Sequence, residues 1–226
     1  MVYAMSDLHG CYDQYMRMLE QIHFSKEDTL YILGDIVDRG PGGILLLQEM
    51  MGKKNIIPIR GNHDFMAYSL LSRLSLRAEF YTETLKESYH LWFADGGGTT
   101  YRGFTALEKD ERKKVLGFLG MFLIYDELEV NGRKFFLSHT VPEKEKMLDF
   151  DSCQMDDFMV GEPDYDEQYF DDCYVVTGHT PTALIDPNFV GKIYQKNHHI
   201  AIDCGAVFGE NLGCICLDTL EEFYVK

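Results

Sequence analysis

Polar side chains that can bind metals or transfer protons follow five apolar stretches of the chain. The five segments read SDLHG, GDIVDRG, RGNHD, SHT and TGHT, and they begin at Ser6, Gly34, Arg60, Ser138 and Thr177. A solvent loop usually carries Gly, Pro, Ser and Asn in loose order rather than this repeated Asp, His and Arg. Carboxylate, imidazole and amide ligands without thiolates suit Mn, Fe or Zn better than Ca or Mg alone. The pattern therefore predicts a metal site assembled from several parts of the chain.

The number of possible ligands permits two metal ions. The candidate ligands are Asp7, His9, Asp35, Asn62, His139 and His179. Asp7 and His9 can hold one ion, while Asn62 and the two later histidines hold the other and Asp35 bridges them. Two cations about 3.5–4 Å apart can bind a hydroxide between them and hold both oxygens of an in-line displacement, for which phosphate esters are natural substrates. We therefore expect two divalent metal ions, with Mn favoured and Fe or Zn as alternatives.

Other residues of the same segments meet the remaining requirements of phosphate-ester hydrolysis. Arg39 and Arg60 supply the planar, permanently charged guanidinium that phosphate oxygens favour. His63 directly follows a candidate ligand and can donate a proton to the leaving alkoxide, with Asp38 placed to orient it. Asp64 offers an alternative partner for His63, or a helix cap. We predict His63 and Asp38 as catalytic residues and the two arginines as phosphate-binding residues.

Each of these segments taken alone has an ordinary structural explanation. An Asp-x-His sequence is common, Gly-Asp after a strand is often a turn with a helix cap, and a lone histidine more often lies at the surface or in the core. The joint interpretation is favoured because the five segments follow successive strands. A further polar run, DGGGTT at 95–100, matches neither the dinucleotide nor the P-loop pattern. A tight turn into a helix is preferred there over a phosphate-binding loop.

Apolar periodicity predicts the elements that carry these segments. Buried strands are expected at 2–7, 29–35 and 55–62, each followed by a helix, and this alternation is typical of a parallel sheet. The carboxyl ends of parallel strands meet at one edge of a sheet, which would bring the polar segments together. Residues 78–120 have a helical pattern interrupted at 95–100, and the later part predicts an Asn-Gly hairpin and further short strands. We expect an α/β fold in a single domain, residues 1–226, with a mixed sheet completing a parallel one.

Composition narrows the classes of partner. The 226-residue chain has a formal net charge of −16, which argues against a nucleic acid duplex or an anionic membrane as partner. The first residues lack the basic and apolar regions of a signal peptide, and no apolar stretch approaches the roughly 20 residues that cross a bilayer. None of the six cysteines forms a CxxC pair, so buried free thiols are expected. We predict a cytoplasmic protein.

The segments SDLHG, GDIVDRG, RGNHD, SHT and TGHTP resemble the ordered signature of the phosphoprotein phosphatase branch of the calcineurin-like metallophosphoesterases. The similarity is greatest to compact bacterial and phage serine/threonine phosphatases and to the related dinucleoside tetraphosphatases, and it covers nearly the whole chain. The resemblance implies a four-layer α/β/β/α metallophosphoesterase sandwich with mixed sheets and a dinuclear metal centre. Residue by residue, the resemblance assigns one metal to Asp7, His9 and Asp35, and the other to Asp35, Asn62, His139 and His179. It assigns leaving-group protonation to His63 and Asp38, and phosphate binding to Arg39 and Arg60.

The resemblance implies a metal-dependent phosphomonoesterase, and the first choice is a serine/threonine protein phosphatase acting on phosphoproteins or phosphopeptides. A dinucleoside tetraphosphatase or nucleotide polyphosphate hydrolase is the alternative, and a non-catalytic phosphate-binding scaffold is a third hypothesis. Three departures from the family pattern bear on this choice. GNHD replaces GNHE, as in the dinucleoside tetraphosphatases, and SHT replaces HAG. The Trp-x-Arg whose arginine contacts phosphate in many relatives is missing, and Gly161 stands near the arginine position.

The segment 147–178 carries ten Asp or Glu residues and no Lys or Arg. A solvated loop is one explanation for this charge. Because His139 and His179 flank the segment, it is also expected to border the catalytic edge, where a negative rim would repel polyphosphate chains and attract basic residues beside a phosphorylated side chain. On that basis we expect phosphopeptides with basic flanks to be better substrates than dinucleoside tetraphosphates.

Overall fold

The computed structural model describes residues 1–75 and 82–226. The α-helices in these ranges are α1 (Tyr12–Gln21), α2 (Gly43–Met51), α3 (Asn62–Leu71), α4 (Glu83–Trp92), α5 (Gly98–Ala106), α6 (Lys109–Gly120), α7 (Lys144–Leu148) and α8 (Thr182–Ile185). The strands are β1 (Val2–Met5), β2 (Thr29–Leu33), β3 (Ile56–Ile59), β4 (Tyr125–Val130), β5 (Arg133–Ser138), β6 (Cys173–Thr177), β7 (Tyr194–Lys196), β8 (His199–Ala201), β9 (Leu212–Cys216) and β10 (Glu222–Val225).

The first sheet has the strand order β10-β9-β1-β2-β3, in which β1, β2 and β3 are parallel and β9 is antiparallel to both its neighbours. Its parallel strands are apolar on both faces because both faces are covered. Met5 and Ile32 pack in the core beside the helices, whereas Leu33 packs in the core shared with the second sheet. Met5 pairs with Ile32 and Leu33 pairs with Ile59, so these strands end at one edge.

The second sheet has the order β4-β5-β6-β8-β7, in which β5, β6 and β8 are parallel. The predicted hairpin joins β4 and β5, and Asn131 and Gly132 at its turn have φ of 50° and 76°. Both residues of a type I′ turn need such left-handed values, which Asn and Gly adopt at low cost. Because β5 and β6 are parallel neighbours, His139 and His179, which follow them, emerge at the same edge of this sheet.

Three apolar cores separate four layers of secondary structure. The first core joins the first sheet to the longer helices and includes Tyr15, Leu47 and Phe104. The second lies between the two sheets, and the third covers the outer face of the second sheet, where Phe136 packs with Met147 of α7. Alternate residues of one strand enter different cores because successive side chains point to opposite faces. The predicted α/β class with two mixed sheets is confirmed.

The predicted helical stretch 78–120 is present as α4, α5 and α6 from Glu83 onward, and residues 78–81 lie outside the described ranges. A π-helical segment, Phe93–Gly97, joins α4 to α5, and within it Asp95 and Gly96 leave helical geometry. The predicted turn into a helix at 95–100 is therefore confirmed. All six cysteines are unpaired, and three of them are buried. Among the helices of the described ranges, none is long and apolar enough to cross a membrane.

Candidate metal centre

The polar segments lie close together beside the ends of strands from both sheets. Several of their residues have an unusual backbone conformation. The segment after β1 is tied to the segment after β2, since the Asp7 and His9 amides donate to the carbonyls of Gly34 (3.1 Å) and Asp35 (2.8 Å). Asp7, His9, Asp35 and His179 have φ of 51°, 39°, 54° and 65°. Non-glycine residues adopt this left-handed region infrequently, and it is concentrated at functional sites because the surrounding structure must hold it.

Asp35 lies midway between two of the predicted histidine ligands. Its Oδ2 is 3.5 Å from Nε2 of His9 and 3.5 Å from Nε2 of His139. Nδ1–H of His9 donates to the Val37 carbonyl at 3.0 Å, and Nδ1–H of His139 donates to the Leu33 carbonyl at 2.7 Å. Such backbone bonds fix the tautomer and turn the Nε2 lone pair toward a metal position. The structure therefore brings Asp35 between His9 and His139, which is the placement that a bridging ligand would need.

The second predicted ligand group is assembled around His139. Its Nε2 lies 3.1 Å from Oδ1 of Asn62 and 3.1 Å from Nδ1 of His179. Asp35, His139 and His179 each offer a ligand atom within 4.8 Å of the others. Imidazole nitrogens and carboxylate oxygens are common ligands of divalent cations, so this group is a candidate metal site.

The first group differs in membership from the prediction. Ligand atoms of His9, Asp35 and His63 lie within 4.8 Å of one another, and Asp7 is not in this set. Oδ2 of Asp7 instead accepts the His179 amide proton at 2.9 Å. His63 already uses Nδ1 in a bond to another carboxylate, so its proximity does not by itself make it a ligand. A Cβ at Gly178 would lie 2.2 Å from Oδ2 of Asp7, which explains the glycine before His179.

The charges of the cluster fit divalent cations. Burial raises the pKa of Asp7 and of Asp35 well above the usual range, and nearby carboxylates (Asp203 for Asp7 and Asp64 for Asp35) raise them further. Burial lowers the pKa of His9 to about 3 and that of His179 to about 4, so these imidazoles are neutral near pH 7. Buried carboxylates are costly without positive partners, and neutral imidazoles are good metal ligands. The donor set therefore suits two divalent ions.

A separate hydrogen-bonded group surrounds the predicted catalytic pair. Nδ1 of His63 lies 2.8 Å from Oδ2 of Asp38, and both residues are buried. Nε1–H of Trp92 donates to the same oxygen at 2.7 Å, and the Thr100 hydroxyl donates to Oδ1 at 2.6 Å. Sequence reasoning missed Trp92 and Thr100. The available signal was the polar run DGGGTT inside a helical stretch, which begins three residues after Trp92.

The two arginines predicted to bind phosphate contact different parts of the protein. Nη1 of Arg39 is 2.6 Å from Nε2 of His9, and Nη2 is 3.1 Å from Nε2 of His63, so this guanidinium lies within the cluster. Nη2 of Arg60 instead donates to the carbonyl of Leu119 at 3.0 Å, at the end of α6. The hydrogen bonds described for Arg60 therefore join it to α6 rather than to the candidate ligands. The structure brings Arg39 to the site and directs Arg60 to the helix.

Asp64 acts as a helix cap, which was one of the two roles predicted for it. Its Oδ2 accepts from the amides of Gly61 (3.1 Å) and Asp35 (2.8 Å), and its Oδ1 accepts from the Ile36 amide (3.0 Å). The aspartate of GNHD thus ties the start of α3 to the backbone that carries Asp35. Orientation of His63 belongs to Asp38, the other carboxylate considered.

Gly161 has no room for a side chain. A Cβ at this position would lie 2.3 Å from the Asp157 carbonyl oxygen and 2.4 Å from the Val141 carbonyl oxygen. The Thr140 hydroxyl also donates to the Gly161 carbonyl at 3.0 Å. These contacts close the segment against the strand end that carries His139. An arginine at this position would require the backbone to move.

A groove in the acidic segment lies beside the second ligand group. It has a volume of about 670 Å³ and includes residues 162–167, Glu143 and Thr180, which follows His179. Some of its carboxylates are paired: Asp166 contacts Lys196 and Glu167 contacts Lys144. The groove therefore reaches the residue that follows the candidate ligand His179, and part of its negative charge is neutralised.

A carboxylate placed between two sets of imidazoles, at the common edge of two facing mixed sheets, is typical of proteins with a dinuclear metal centre. The chain belongs to the calcineurin-like phosphoesterase family, whose sequence profile matches residues 1–202. The resemblance drawn from the sequence is thus confirmed at the level of the family.

The chain is also similar to curated proteins over short regions. It is 40% identical over 65 residues to a symmetrical bis(5′-nucleosyl)-tetraphosphatase of Nitrosococcus oceani, which is 28% of this chain and 23% of that protein. It is 36% identical over 75 residues to the enzyme of the same description from Salmonella paratyphi B, which is 32% of this chain and 27% of that protein. The matches therefore span about a quarter of these relatives' length.

Solved structures show the same fold over nearly the whole chain. A crystal structure provisionally assigned as a diadenosine tetraphosphatase superposes with a TM-score of 0.69 at 17% identity, covering 99% of this chain and 92% of the other. A serine/threonine phosphatase from Saccharomyces cerevisiae gives a TM-score of 0.58 at 12% identity, covering 100% of this chain and 80% of the other. At these identities the similarity concerns the fold alone.

Proposed function

We propose that this protein is a metal-dependent phosphoesterase that hydrolyses dinucleoside polyphosphates. The position of Asp35 Oδ2, 3.5 Å from Nε2 of His9 and of His139, carries the phosphoesterase part of this proposal. The substrate class is supported by the similarity to symmetrical bis(5′-nucleosyl)-tetraphosphatases. That similarity favours the alternative drawn from the sequence over the protein phosphatase that was the first choice.

The buried and half-buried donors are proposed to hold two metal ions. In the proposal, Asp7, His9 and Asp35 hold one ion, and Asp35, Asn62, His139 and His179 hold the other. Manganese is the proposed metal because the ligands are oxygens and imidazole nitrogens without thiolate. Bound divalent cations supply Lewis acidity toward phosphoryl oxygens. The chain's own contribution is a fixed ligand geometry, since backbone carbonyls orient His9 and His139.

The remaining residues are proposed to bind the phosphoryl group and to donate one proton to the leaving oxygen. Arg39 is proposed to donate to the phosphoryl oxygens, because its guanidinium lies beside Nε2 of both His9 and His63. His63 is proposed to give the proton on Nε2 to the leaving oxygen, since its Nδ1 is held by Asp38. Trp92 and Thr100 keep the Asp38 carboxylate in place through their own hydrogen bonds.

A serine/threonine protein phosphatase remains the second candidate because of the acidic groove beside Thr180. A negative groove beside the site attracts basic side chains that flank a phosphorylated residue and repels a polyphosphate chain. Both candidate functions use the same metal centre and the same proton donor. They differ in the charge of the substrate beyond the scissile phosphate.

A direct comparison of substrates tests the proposal. The full chain reconstituted with Mn²⁺ would be assayed for kcat/KM on diadenosine tetraphosphate and on phosphopeptides with basic or acidic flanks, at two ionic strengths. We expect the tetraphosphate to be the best substrate and ADP to be the product. A higher kcat/KM for the basic-flanked phosphopeptide, lost at high salt because charges are then screened, would favour the protein phosphatase instead.

A further inference from the structure

The segment between α4 and α5 carries Asp95, whose carboxylate lies against Arg39 and His63. These are the two side chains proposed to contact the substrate. Oδ1 of Asp95 lies 3.3 Å from Nη2 of Arg39, and its Oδ2 lies 3.4 Å from Nε2 of His63. Asp95 is half exposed, whereas His63 is buried, so the carboxylate stands on the solvent side of the histidine. Nε2 of His63 is the nitrogen that must face a leaving oxygen.

The backbone holds Asp95 in this position whatever the conformation of the Arg39 side chain. The Arg39 amide donates to the Gly96 carbonyl at 3.1 Å, and the Thr99 hydroxyl donates to the same carbonyl at 3.0 Å. Gly96 has φ of 98°, which non-glycine residues rarely adopt, and a Cβ there would lie 2.8 Å from the Arg39 amide nitrogen. The glycine therefore allows the helix interruption to lie directly on the Arg39 backbone.

We propose that Asp95 is an internal competitor of the substrate phosphate, a positioning residue that holds Arg39 and covers His63 in the resting site. The inference rests on the proposed roles of Arg39 and His63. When a phosphate ester binds, a phosphoryl oxygen replaces Oδ1 of Asp95 at the Arg39 guanidinium, and the leaving oxygen replaces Oδ2 at Nε2 of His63. Asp95 thus sets how tightly anions bind, and it transfers no proton itself.

The strength of the competition between Asp95 and phosphate depends on the solvent exposure of the Asp95–Arg39 ion pair. A half-exposed ion pair contributes little free energy, because water solvates both partners and salt screens them. Phosphate, with more charge and more acceptor oxygens than a carboxylate, can therefore displace Asp95. Removing the carboxylate should strengthen phosphate binding by about two- to fivefold, which is the range that such exposed pairs support.

The test is inhibition of the Mn²⁺-reconstituted full chain by inorganic phosphate. Asp95→Asn keeps the shape of the side chain and removes its charge. We expect the Ki for phosphate and the KM for an aryl phosphate to fall together by about two- to fivefold. The difference should shrink at high salt, because the displaced pair is half exposed.

Two further variants separate this inference from the proposed function. Asp110→Asn removes the same charge from an exposed pair with Lys113 at the start of α6, and its phosphate Ki should equal that of the wild type. Arg39→Ala should raise the Ki, and Asp95→Asn should have a smaller effect in that background, where only the contact with His63 remains to be lost. If Arg39→Ala raises the Ki while Asp95→Asn leaves it unchanged or raises it, the competitor role of Asp95 is overturned and the proposed function stands. If Arg39→Ala leaves the Ki unchanged, both the phosphate role of Arg39 and the competition fail.

Discussion

Nδ1 of His63 lies 2.8 Å from Oδ2 of Asp38, in a pair that is almost completely buried. The bond leaves Nε2 as the nitrogen that faces the ligand cluster, 3.1 Å from the Arg39 guanidinium. A buried carboxylate bonded to one nitrogen of an imidazole fixes the orientation of the ring. The first prediction tests the proposed role of His63 as a proton donor in that orientation.

Replacement of His63 by asparagine should lower kcat by about 10²–10⁴-fold with little change in KM, as expected for loss of a general acid. The loss should be smaller for nitrophenyl phosphate, because a good leaving group scarcely needs a proton. The measurement is kcat for an alkyl and an aryl phosphate with the same variant. Equal losses on the two substrates would contradict proton donation by His63.

Asp35 should be the most sensitive of the candidate ligands. Asp35→Asn removes the carboxylate that lies 3.5 Å from Nε2 of both His9 and His139, so it should impair both ions, whereas Asp7→Asn should impair one. Chelation should abolish activity, and Mn²⁺ should restore it best. Metal content by elemental analysis, alongside activity, distinguishes the variants. Full turnover by the chelated protein, or a stable phosphoenzyme, would refute a metal-dependent mechanism.

Thr100 should matter to catalysis although it touches neither the ligands nor His63 in the contacts described. Its hydroxyl donates to Oδ1 of Asp38 at 2.6 Å and accepts from the Asp38 amide at 2.8 Å. A hydrogen bond to a charged group contributes about 1.5–3 kcal/mol, so Thr100→Val should lower kcat by about tenfold or more. Thr100→Ser keeps the hydroxyl and serves as the control. Similar kcat values for the two variants would show that this bond does not position Asp38.

The two arginines should give different kinetic results. Arg39→Ala should raise KM and lower kcat for phosphate esters, because its guanidinium lies beside Nε2 of His9 and His63. Arg60→Ala should change KM little and should instead lower the free energy of unfolding by about 1–3 kcal/mol, because it removes the side-chain donor that the Leu119 and Gly120 carbonyls share. Steady-state kinetics and urea unfolding of both variants check this. A large rise in KM for Arg60→Ala would restore the phosphate-binding role predicted from the sequence.

His199 should make the protein less stable in mild acid. Burial lowers the pKa of His199 to about 3 in the folded chain, whereas an unfolded histidine has a pKa of about 6.5. Below pH 6.5 His199 is protonated in the unfolded state but remains neutral in the folded state. The free energy of unfolding therefore falls by up to about 1.4 kcal/mol per pH unit between about pH 6.5 and pH 3.

His199→Gln should reduce that slope, because glutamine does not titrate and can still hydrogen-bond the Thr177 hydroxyl, which lies 2.9 Å from Nε2 of His199. Urea unfolding of both proteins at pH 7 and pH 5 provides the measurement. Parallel pH dependences would show that His199 does not remain neutral in the folded state.

Much of the candidate site was predictable because its signals are local in sequence. Asp7, Asp35 and Asn62 each lie two or three residues beyond the end of a buried strand, and parallel strands of one sheet must end at the same edge. The pleat likewise determines which strand residues enter which core. These relationships depend on the periodicity of apolar residues and on strand direction, both of which can be inferred from the sequence alone.

Tertiary structure decided the groups that reach the site from distant parts of the chain. Trp92 and Thr100 are 54 and 62 residues away from Asp38 in sequence, and Asp95 reaches Arg39 only because Gly96 lets the helix break. No local pattern specifies which buried carboxylate an indole or hydroxyl will meet. The direction of a long side chain is likewise a packing outcome, which is why Arg60, although it follows β3 directly, bonds to α6. Strand order determined where the candidate ligands meet, whereas helix packing determined which side chains hold Asp38 and contact Arg39.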